Sequence, residues 1–276
     1  MKQMREFIDD YSAEFTQVGA HDEEELRTSG PRNDENAALE LDALSCLRFF
    51  PHVTNLILKP GQISQAHLPY LYHTPAKRLK LDYDSDSQDE YTMDLGKFPG
   101  LECVFSLTEF NFQNVQNCKK LHTLTVQKWY TSDLRQLAHG KLTSLKILSG
   151  KLTSLSSLHR LHELKSLSVS NQRSLTCIAD LAACPVLEHL EIDSCSRLDL
   201  QAIPELPQLK SLVLIGRQTI GDCAFFSRFP NLERLILGVK ILDGDLSPLL
   251  KLKHCTILTD HRHYSHKNAA LPKDPS

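Results

Sequence analysis

The sequence predicts an α/β repeat: a right-handed solenoid whose short strands form one curved parallel β-sheet on the concave face. The main observation is an apolar triplet, in which apolar residues fill the first, fourth and sixth places of a short segment. The triplet recurs ten times, and successive copies begin 20 to 25 residues apart. The ten copies begin at Val53, Ala76, Leu101, Leu121, Leu142, Leu164, Leu187, Leu209, Leu232 and Leu252.

Strand geometry explains the triplet, because alternate side chains of a strand point to the same face. A second observation is that the segment before each triplet carries further apolar residues at helical spacing, as at Leu155, Leu158 and Leu161. One unit cannot enclose its own leucines, whereas stacked units bury them in a continuous core. The pattern therefore predicts about ten strands paired side by side.

Over residues 39–258 this pattern resembles the leucine-rich-repeat family, whose repeats are about 20–29 residues long. The short period is similar to that of bacterial and other intracellular members. The family usually places Asn or Cys three residues after the third apolar position, and Cys195 alone fits here. Equivalent places hold Trp129, Gly150 and Gln172, which predicts that most turns satisfy their backbone groups in another way. The third repeat is the weakest, because Ser106 takes its third apolar place.

The segments outside the repeats predict caps and one loop. Residues 1–38 are interpreted as an N-terminal cap helix, with helical apolar spacing between Arg5 and Val18, followed by an acidic linker. Asp82 to Asp94 holds six acidic residues and no basic one, which is typical of a solvated loop between two repeats. Residues 259–276 are interpreted as a polar C-terminal cap or tail.

Charge is distributed unevenly along the chain of 276 residues, whose formal net charge is −3. Residues 1–94 carry 18 acidic and 9 basic side chains, a balance of −9, and residues 95–276 carry 16 and 22, a balance of +6. No apolar run approaches the ~18 residues that indicate a membrane span. These observations predict a cytoplasmic protein without membrane attachment. The basic excess is too dilute to favour a nucleic-acid partner.

The residues that could carry chemistry do not form a recognisable site in the sequence. The eight cysteines are scattered without any Cys-x-x-Cys pair, which favours buried free thiols over disulfides or zinc. His254, His261, His263 and His266 lie close together in a polar tail, without the partner ligands that a zinc site needs. The sequence therefore predicts no enzyme, no cofactor and no metal.

The candidate binding site is the concave face, onto which the residues between the buried leucines point. The resulting protein-binding candidates are Arg78, Tyr83, Phe105, Trp129, Tyr130, His189, Glu191, Asp193, Val213, Ile215, Arg234 and Ile236. Two groups stand out, because aromatic residues dominate binding hot spots and exposed apolar patches mark contacts. They are the pair Trp129–Tyr130 and the aliphatic residues Val213, Ile215 and Ile236. In the acidic loop, Asp84, Asp86 and Asp89 are candidates for electrostatic steering.

Two structural alternatives stay open for these groups. One or both rings of Trp129 and Tyr130 could fill the turn or the convex side. The C-terminal tail could fold over the aliphatic residues and cover them.

The family resemblance implies a protein-binding module without enzymatic activity. The most specific interpretation is a bacterial immunity protein that binds and neutralises a toxin, since the acidic N-terminal third would suit a basic partner. The alternative is an adaptor or regulatory subunit of a larger assembly. Binding of nucleic acid or carbohydrate is a less favoured second class.

Overall fold

The computed structural model describes residues 25–27, 54–58, 63–81, 91–109, 112–137, 140–252, 255–259, 264–266 and 271–272. Within them, eleven strands form one parallel sheet in chain order. The sheet strands are β1 Glu25–Arg27, β2 Asn55–Leu58, β3 Arg78–Leu81, β5 Cys103–Glu109, β7 Thr123–Trp129, β8 Ser144–Gly150, β9 Ser166–Ser170, β10 His189–Asp193, β11 Ser211–Ile220, β12 Arg234–Ile241 and β13 Thr256–Thr259. The predicted curved solenoid is therefore confirmed.

The register of the sheet follows the apolar triplet. Leu145 pairs with Leu167, and Leu167 pairs with Leu190, so that equivalent leucines of neighbouring repeats stack directly on one another. The same pairing continues through Leu212 and Leu235. All five side chains are buried. Each repeat thus completes the core of its neighbour, as stacked units require.

The segments that return to the next strand contain short helical turns. One α-helix, Leu68–Tyr72, lies between β2 and β3. Among the described residues, eight 3-10 segments follow at Leu95–Lys97, Val115–Asn117, Arg135–Leu137, Leu158–Arg160, Ala179–Ala183, Leu200–Ala202, Cys223–Arg228 and Ser247–Lys251. The short strands β4 Met93–Asp94 and β6 Phe112–Gln113 pair in a separate two-stranded sheet. These segments supply the second layer of the core.

The strand β1 was not predicted. Glu25, Leu26 and Arg27 lie in the segment interpreted as an acidic linker, but their backbone pairs in parallel with Asn55, Leu56 and Ile57 of β2. An edge strand offers unpaired N–H and C=O groups, and backbone pairing needs no apolar triplet. The cap helix predicted between Arg5 and Val18 lies outside the described residues.

The weak third repeat has a polar residue in its core. Ser106 is fully buried in β5, and its Oγ lies 2.9 Å from Oγ1 of buried Thr108. A buried hydroxyl costs little when it is hydrogen-bonded. The third apolar place can therefore hold serine without interrupting the sheet.

In two neighbouring repeats, the residue three places after the third apolar position turns inward. The buried Gln172 amide accepts a hydrogen bond from the Leu152 N–H at 3.2 Å and donates to the Ser170 carbonyl at 3.1 Å. Buried Cys195 donates to the Val169 carbonyl at 3.5 Å. These side chains satisfy backbone groups of their own and the preceding repeat. At this position Gln172 thus takes the role that Cys195 has in the next repeat. This agrees with the expectation that turns without Asn or Cys satisfy their backbone groups in another way.

The described part of the C-terminal tail packs against the last repeats. The Tyr264 hydroxyl accepts a hydrogen bond from the Ile241 N–H at 2.7 Å. The Pro272 carbonyl accepts one from the Ile257 N–H at 3.2 Å, and Leu271 is buried. The tail therefore covers the last core residues and pairs with the outer edge of β13.

Candidate functional site: the concave face

The concave face is built from strand positions that alternate with the buried leucines. Its middle row consists of residues that are register partners from one strand to the next. In order, the row reads Ile57, Lys80, Phe105, Thr125, Lys146, Ser168, Glu191, Val213, Ile236 and Leu258. Neighbouring members lie about 4.8 Å apart across the strands. The row therefore changes from mixed, through polar, to aliphatic along the solenoid.

The N-terminal part of the face offers less surface than expected. Arg78 is exposed as predicted. Phe105 is buried with 2% exposure, in a small cluster with Ile57 and Cys103. The prediction that Phe105 contacts a partner is wrong, because its ring has almost no accessible surface.

The prediction that Trp129 lies on the concave face is also wrong. Its side chain is 0% exposed and belongs to the main core. Its Nε1–H donates to the Asp133 carbonyl at 3.1 Å, which satisfies the polar atom of the ring inside the turn. Trp129 lies three residues after Val126, at the position where Gln172 and Cys195 also turn inward. The position alone does not predict burial, because Arg217 and Lys240 hold it in later repeats and are exposed.

Tyr130 behaves differently from its neighbour. It is 48% exposed, directly after the end of β7. The Lys151 Nζ lies 5.2 Å from the centre of its ring, within the range of a cation–π contact. Tyr130 is therefore accessible at the rim where the strands end, and it stays a binding candidate.

A polar network crosses β8, β9 and β10 in the middle of the face. The Ser168 hydroxyl donates to Glu191 Oε2 at 2.9 Å, and Lys146 Nζ lies 3.5 Å from the same oxygen. Burial lowers the pKa of Lys146, while the carboxylates of Glu191 and Asp193 act in the opposite direction. Lys146 and Ser168 were not among the predicted site residues, although both occupy the central position of their triplets.

Asp193 and His189 complete the face of β10. Asp193 is partly exposed, and its Oδ1 accepts a hydrogen bond from the Ser194 hydroxyl at 2.8 Å. His189 is exposed at the amino end of the strand, between Ser166 and Ser211 in register. The three predicted residues His189, Glu191 and Asp193 thus share one strand face.

An aliphatic stripe follows on the next three strands, and it consists of Val213, Ile215, Ile236 and Leu258. Val213 pairs with Ile236, and Ile236 pairs with Leu258, so that the side chains are neighbours across the sheet. The first three are partly exposed and Leu258 is 50% exposed. The described tail residues therefore leave the stripe accessible. Leu258 was missed by the sequence analysis, although it holds the same place as Ile236.

Arg234 stands at the amino-terminal end of β12, two residues before Ile236. It is exposed and makes no ion pair with any residue that the structure describes. An exposed guanidinium therefore borders the aliphatic stripe.

Some predicted residues lie outside the described part of the chain. These are Tyr83, Asp84, Asp86 and Asp89, together with His254, His261 and His263. Among the described residues, no group of three or more His, Cys, Asp or Glu side chains is placed to hold a metal ion. Seven described cysteines are free thiols, and no described helix is long and apolar enough to cross a bilayer.

The stacked parallel strands, the short returns and the leucine core together define a leucine-rich-repeat fold. Comparison with solved structures agrees. The leucine-rich-repeat domain of the type III effector XopL is 20% identical, with 84% of this chain and 85% of that chain covered and a TM-score of 0.57. An internalin, InlF from Listeria monocytogenes, is 17% identical, with 84% and 70% covered and a TM-score of 0.56.

No protein-family model and no curated protein matches the sequence. The structural similarity therefore shows the fold alone, because a fold does not by itself imply a function. The residues of the concave face must supply the argument for what is bound.

Proposed function

We propose that this chain is a non-enzymatic protein-binding module, and that its partner occupies the concave face from β8 to β13. The observation that carries the proposal is the aliphatic stripe Val213, Ile215, Ile236 and Leu258 on the solvent side of the sheet. Apolar surface that stays accessible beside a complete core is typical of a contact surface. Burying it against a partner contributes about 25 cal/mol for each Å² of apolar surface.

The charges of the face favour a protein over a nucleic acid. Glu191 and Asp193 place two carboxylates beside the stripe, where a phosphate backbone would need cations. Lys146, which could offset them, is largely buried and already lies against Glu191. A polyanion would therefore meet repulsion at the centre of the surface.

Within this class we favour a cytoplasmic immunity protein that neutralises a toxin. The balance of −9 over residues 1–94 supports it, because an acidic segment attracts a basic protein over long range. An adaptor within a larger assembly is the alternative, and the gene neighbourhood separates the two. A toxin gene immediately upstream is expected for an immunity protein.

The acidic loop gives this proposal a kinetic signature. Replacing Asp84, Asp86 and Asp89 by Asn should lower the association rate with the partner and flatten its salt dependence, because solvated charges mainly speed encounter. The dissociation rate should change little. A changed dissociation rate with an unchanged association rate would show that the loop is part of the contact.

Affinity capture tests the use of the stripe. The immobilised full chain is incubated with native lysate, and bound proteins are identified by mass spectrometry. The amount of partner captured by Ile236→Ser should be lower by about tenfold or more, as expected for an apolar hot spot. Leu242→Ser removes a leucine that is 60% exposed outside the stripe and should bind like the unmodified chain. Equal capture by both variants, with both folded by circular dichroism, would contradict binding at the stripe.

A further inference from the structure

The aliphatic stripe and the carboxylates of β10 meet along one strand boundary. Glu191 is the register partner of Val213, and Asp193 is the register partner of Ile215. The backbone of each acidic residue therefore lies one strand spacing, about 4.8 Å, from the backbone of an aliphatic residue on the same face. Any segment that covers Val213 and Ile215 also comes close to both acids.

The carboxylates at this boundary are only partly compensated. Lys146 and Ser168 both engage the same oxygen of Glu191, Oε2. The Asp193 carboxylate accepts a hydrogen bond from the neutral Ser194 hydroxyl. Lys146 pairs with Glu191, and none of the ion pairs among the described residues includes Asp193, which leaves one net negative charge next to the stripe.

This charge limits what can bind. An entirely apolar segment would take Asp193 out of water without a counter-ion, and an uncompensated buried charge is costly. An acidic segment would add like-charge repulsion. A segment with a cation beside its apolar side chain instead forms a charge-assisted hydrogen bond to Asp193 while the apolar group covers Val213 and Ile215.

The other side of the stripe carries the opposite charge. Arg234 lies on the amino-terminal row of the face, whereas Asp193 lies on the carboxyl-terminal row two strands away. The two rows are separated by four residues, or about 13 Å along the strands. The charge of the surface therefore changes sign in a defined direction, from the Asp193 carboxylate on one row to the Arg234 guanidinium on the opposite row.

We infer that the partner inserts a protein segment with an aliphatic or aromatic side chain on the stripe and an adjacent Arg or Lys against Asp193 and Glu191. The inference rests on the proposed function and adds the chemistry and orientation of the bound segment. An acidic side chain on the far side of the apolar one, towards Arg234, completes the complementarity.

A random 12-residue peptide library displayed on phage is the probe, selected against the immobilised full chain. Peptides that depend on Ile236 should be enriched in a cation adjacent to an apolar residue. Asp193→Asn removes the charge with little change of shape, and it should weaken these peptides about tenfold or more. Glu205→Gln makes the same charge change at an exposed site in the return segment and should have no effect. Selection against Asp193→Lys should enrich acidic residues instead.

The outcomes separate this inference from the proposed function. Peptides that lose binding in Ile236→Ser but bind Asp193→Asn unchanged would overturn the cationic segment and leave the stripe as a contact surface. Enrichment of peptides that depend on Ile236 but carry no cation would likewise overturn the cationic segment and keep the stripe as a contact surface. A selection that yields no peptide dependent on Ile236 or Leu258 would count against both.

Discussion

At the scale of single residues, Trp129 is held in place by packing and by a hydrogen bond. The Asp133 carbonyl accepts from the Trp129 ring nitrogen at 3.1 Å and from the Thr131 hydroxyl at 3.0 Å. Trp129→Ala should therefore lower the free energy of unfolding by about 3–5 kcal/mol, the range for a buried aromatic ring. Tyr130→Ala, next in sequence but half exposed, should change it by less than about 1 kcal/mol.

The burial of Trp129 has a direct spectroscopic consequence, because it is the only tryptophan in the chain. Its fluorescence in the folded protein should be blue-shifted and poorly quenched by acrylamide, and urea should reverse both properties. Efficient quenching in the native state would place the ring at the surface, where the sequence prediction had it.

Leu167 tests the core at a position where the triplet pattern and the structure agree. It is buried between Leu145 and Leu190, its register partners on both sides. Leu167→Ala should lower the free energy of unfolding by about 2–5 kcal/mol in urea denaturation, as for other core leucines. Leu242→Ala, an equal truncation of an exposed leucine, is the matched control. A loss below about 1 kcal/mol for Leu167→Ala would contradict its place in the core.

At the scale of elements, the turn after β8 depends on the absence of a side chain at Gly150. Gly150 has a positive φ of 156°, and a Cβ there would overlap the Trp129 carbonyl oxygen of the preceding repeat. That carbonyl also accepts a hydrogen bond from the Lys151 N–H at 2.7 Å. A side chain at this place would therefore push the two repeats apart.

Gly150→Ala should accordingly destabilise the protein by about 1–3 kcal/mol, measured by urea unfolding. Gly238→Ala is the control, since a Cβ at Gly238 would meet Ile215 at 3.4 Å, which is ordinary contact. Equal unfolding midpoints for the two variants would show that the turn adapts to a Cβ without strain.

The elements also show how far sequence reasoning reaches. Every predicted strand from Leu56 to Ile257 is present, because a buried apolar triplet fixes both strand and face. Strand β1 was missed, because its pairing uses backbone groups that carry no sequence signal. On the concave face, the alternation of side chains along each strand correctly located the aliphatic stripe and the acidic residues of β10. It failed for Trp129, where the strand ends and the chain turns inward, and for Phe105, which packs into a cluster of its own.

The sequence analysis missed Lys146 and Ser168 for a physical reason. Lys146 and Ser168 are ordinary surface types in the sequence, and only pairing of β8, β9 and β10 brings them to Glu191. Such contacts join residues from three repeats. They depend on the register across the sheet, which the triplet predicts, and on side-chain reach, which it does not.

At the scale of the whole molecule, buried thiols are distributed along the solenoid. Burial raises the pKa of Cys118, Cys184, Cys195 and Cys255 from 9.0 to about 11. For Cys223, burial and then the nearby carboxylates of Asp243, Asp222 and Asp245 raise the pKa to about 12. Cys177 is the exposed member among the described cysteines.

These shifts predict that the folded protein becomes less stable in alkali. A thiol whose folded pKa is raised gives its full contribution to stability below the unfolded pKa of 9.0 and loses it as the pH rises through the folded pKa. The unfolded chain ionises first, because its thiols are in water. The urea midpoint under reducing conditions should therefore fall between pH 8 and pH 10.5.

Two substitutions assign this fall to the buried thiols, since lysines and tyrosines titrate in the same range. Cys223→Ala removes the thiol with the largest rise in pKa, so that its midpoint should fall less between pH 8 and pH 10.5 than that of the unmodified chain. Cys177→Ala removes an exposed thiol and is the control, so that its midpoint should fall as much as that of the unmodified chain. At pH 8, a thiol reagent should modify Cys177 quickly and the six buried thiols of the described residues only on unfolding. If Cys223→Ala kept the full pH dependence, or if Cys223 reacted as fast as Cys177, the solenoid core would have to be open to water at that turn.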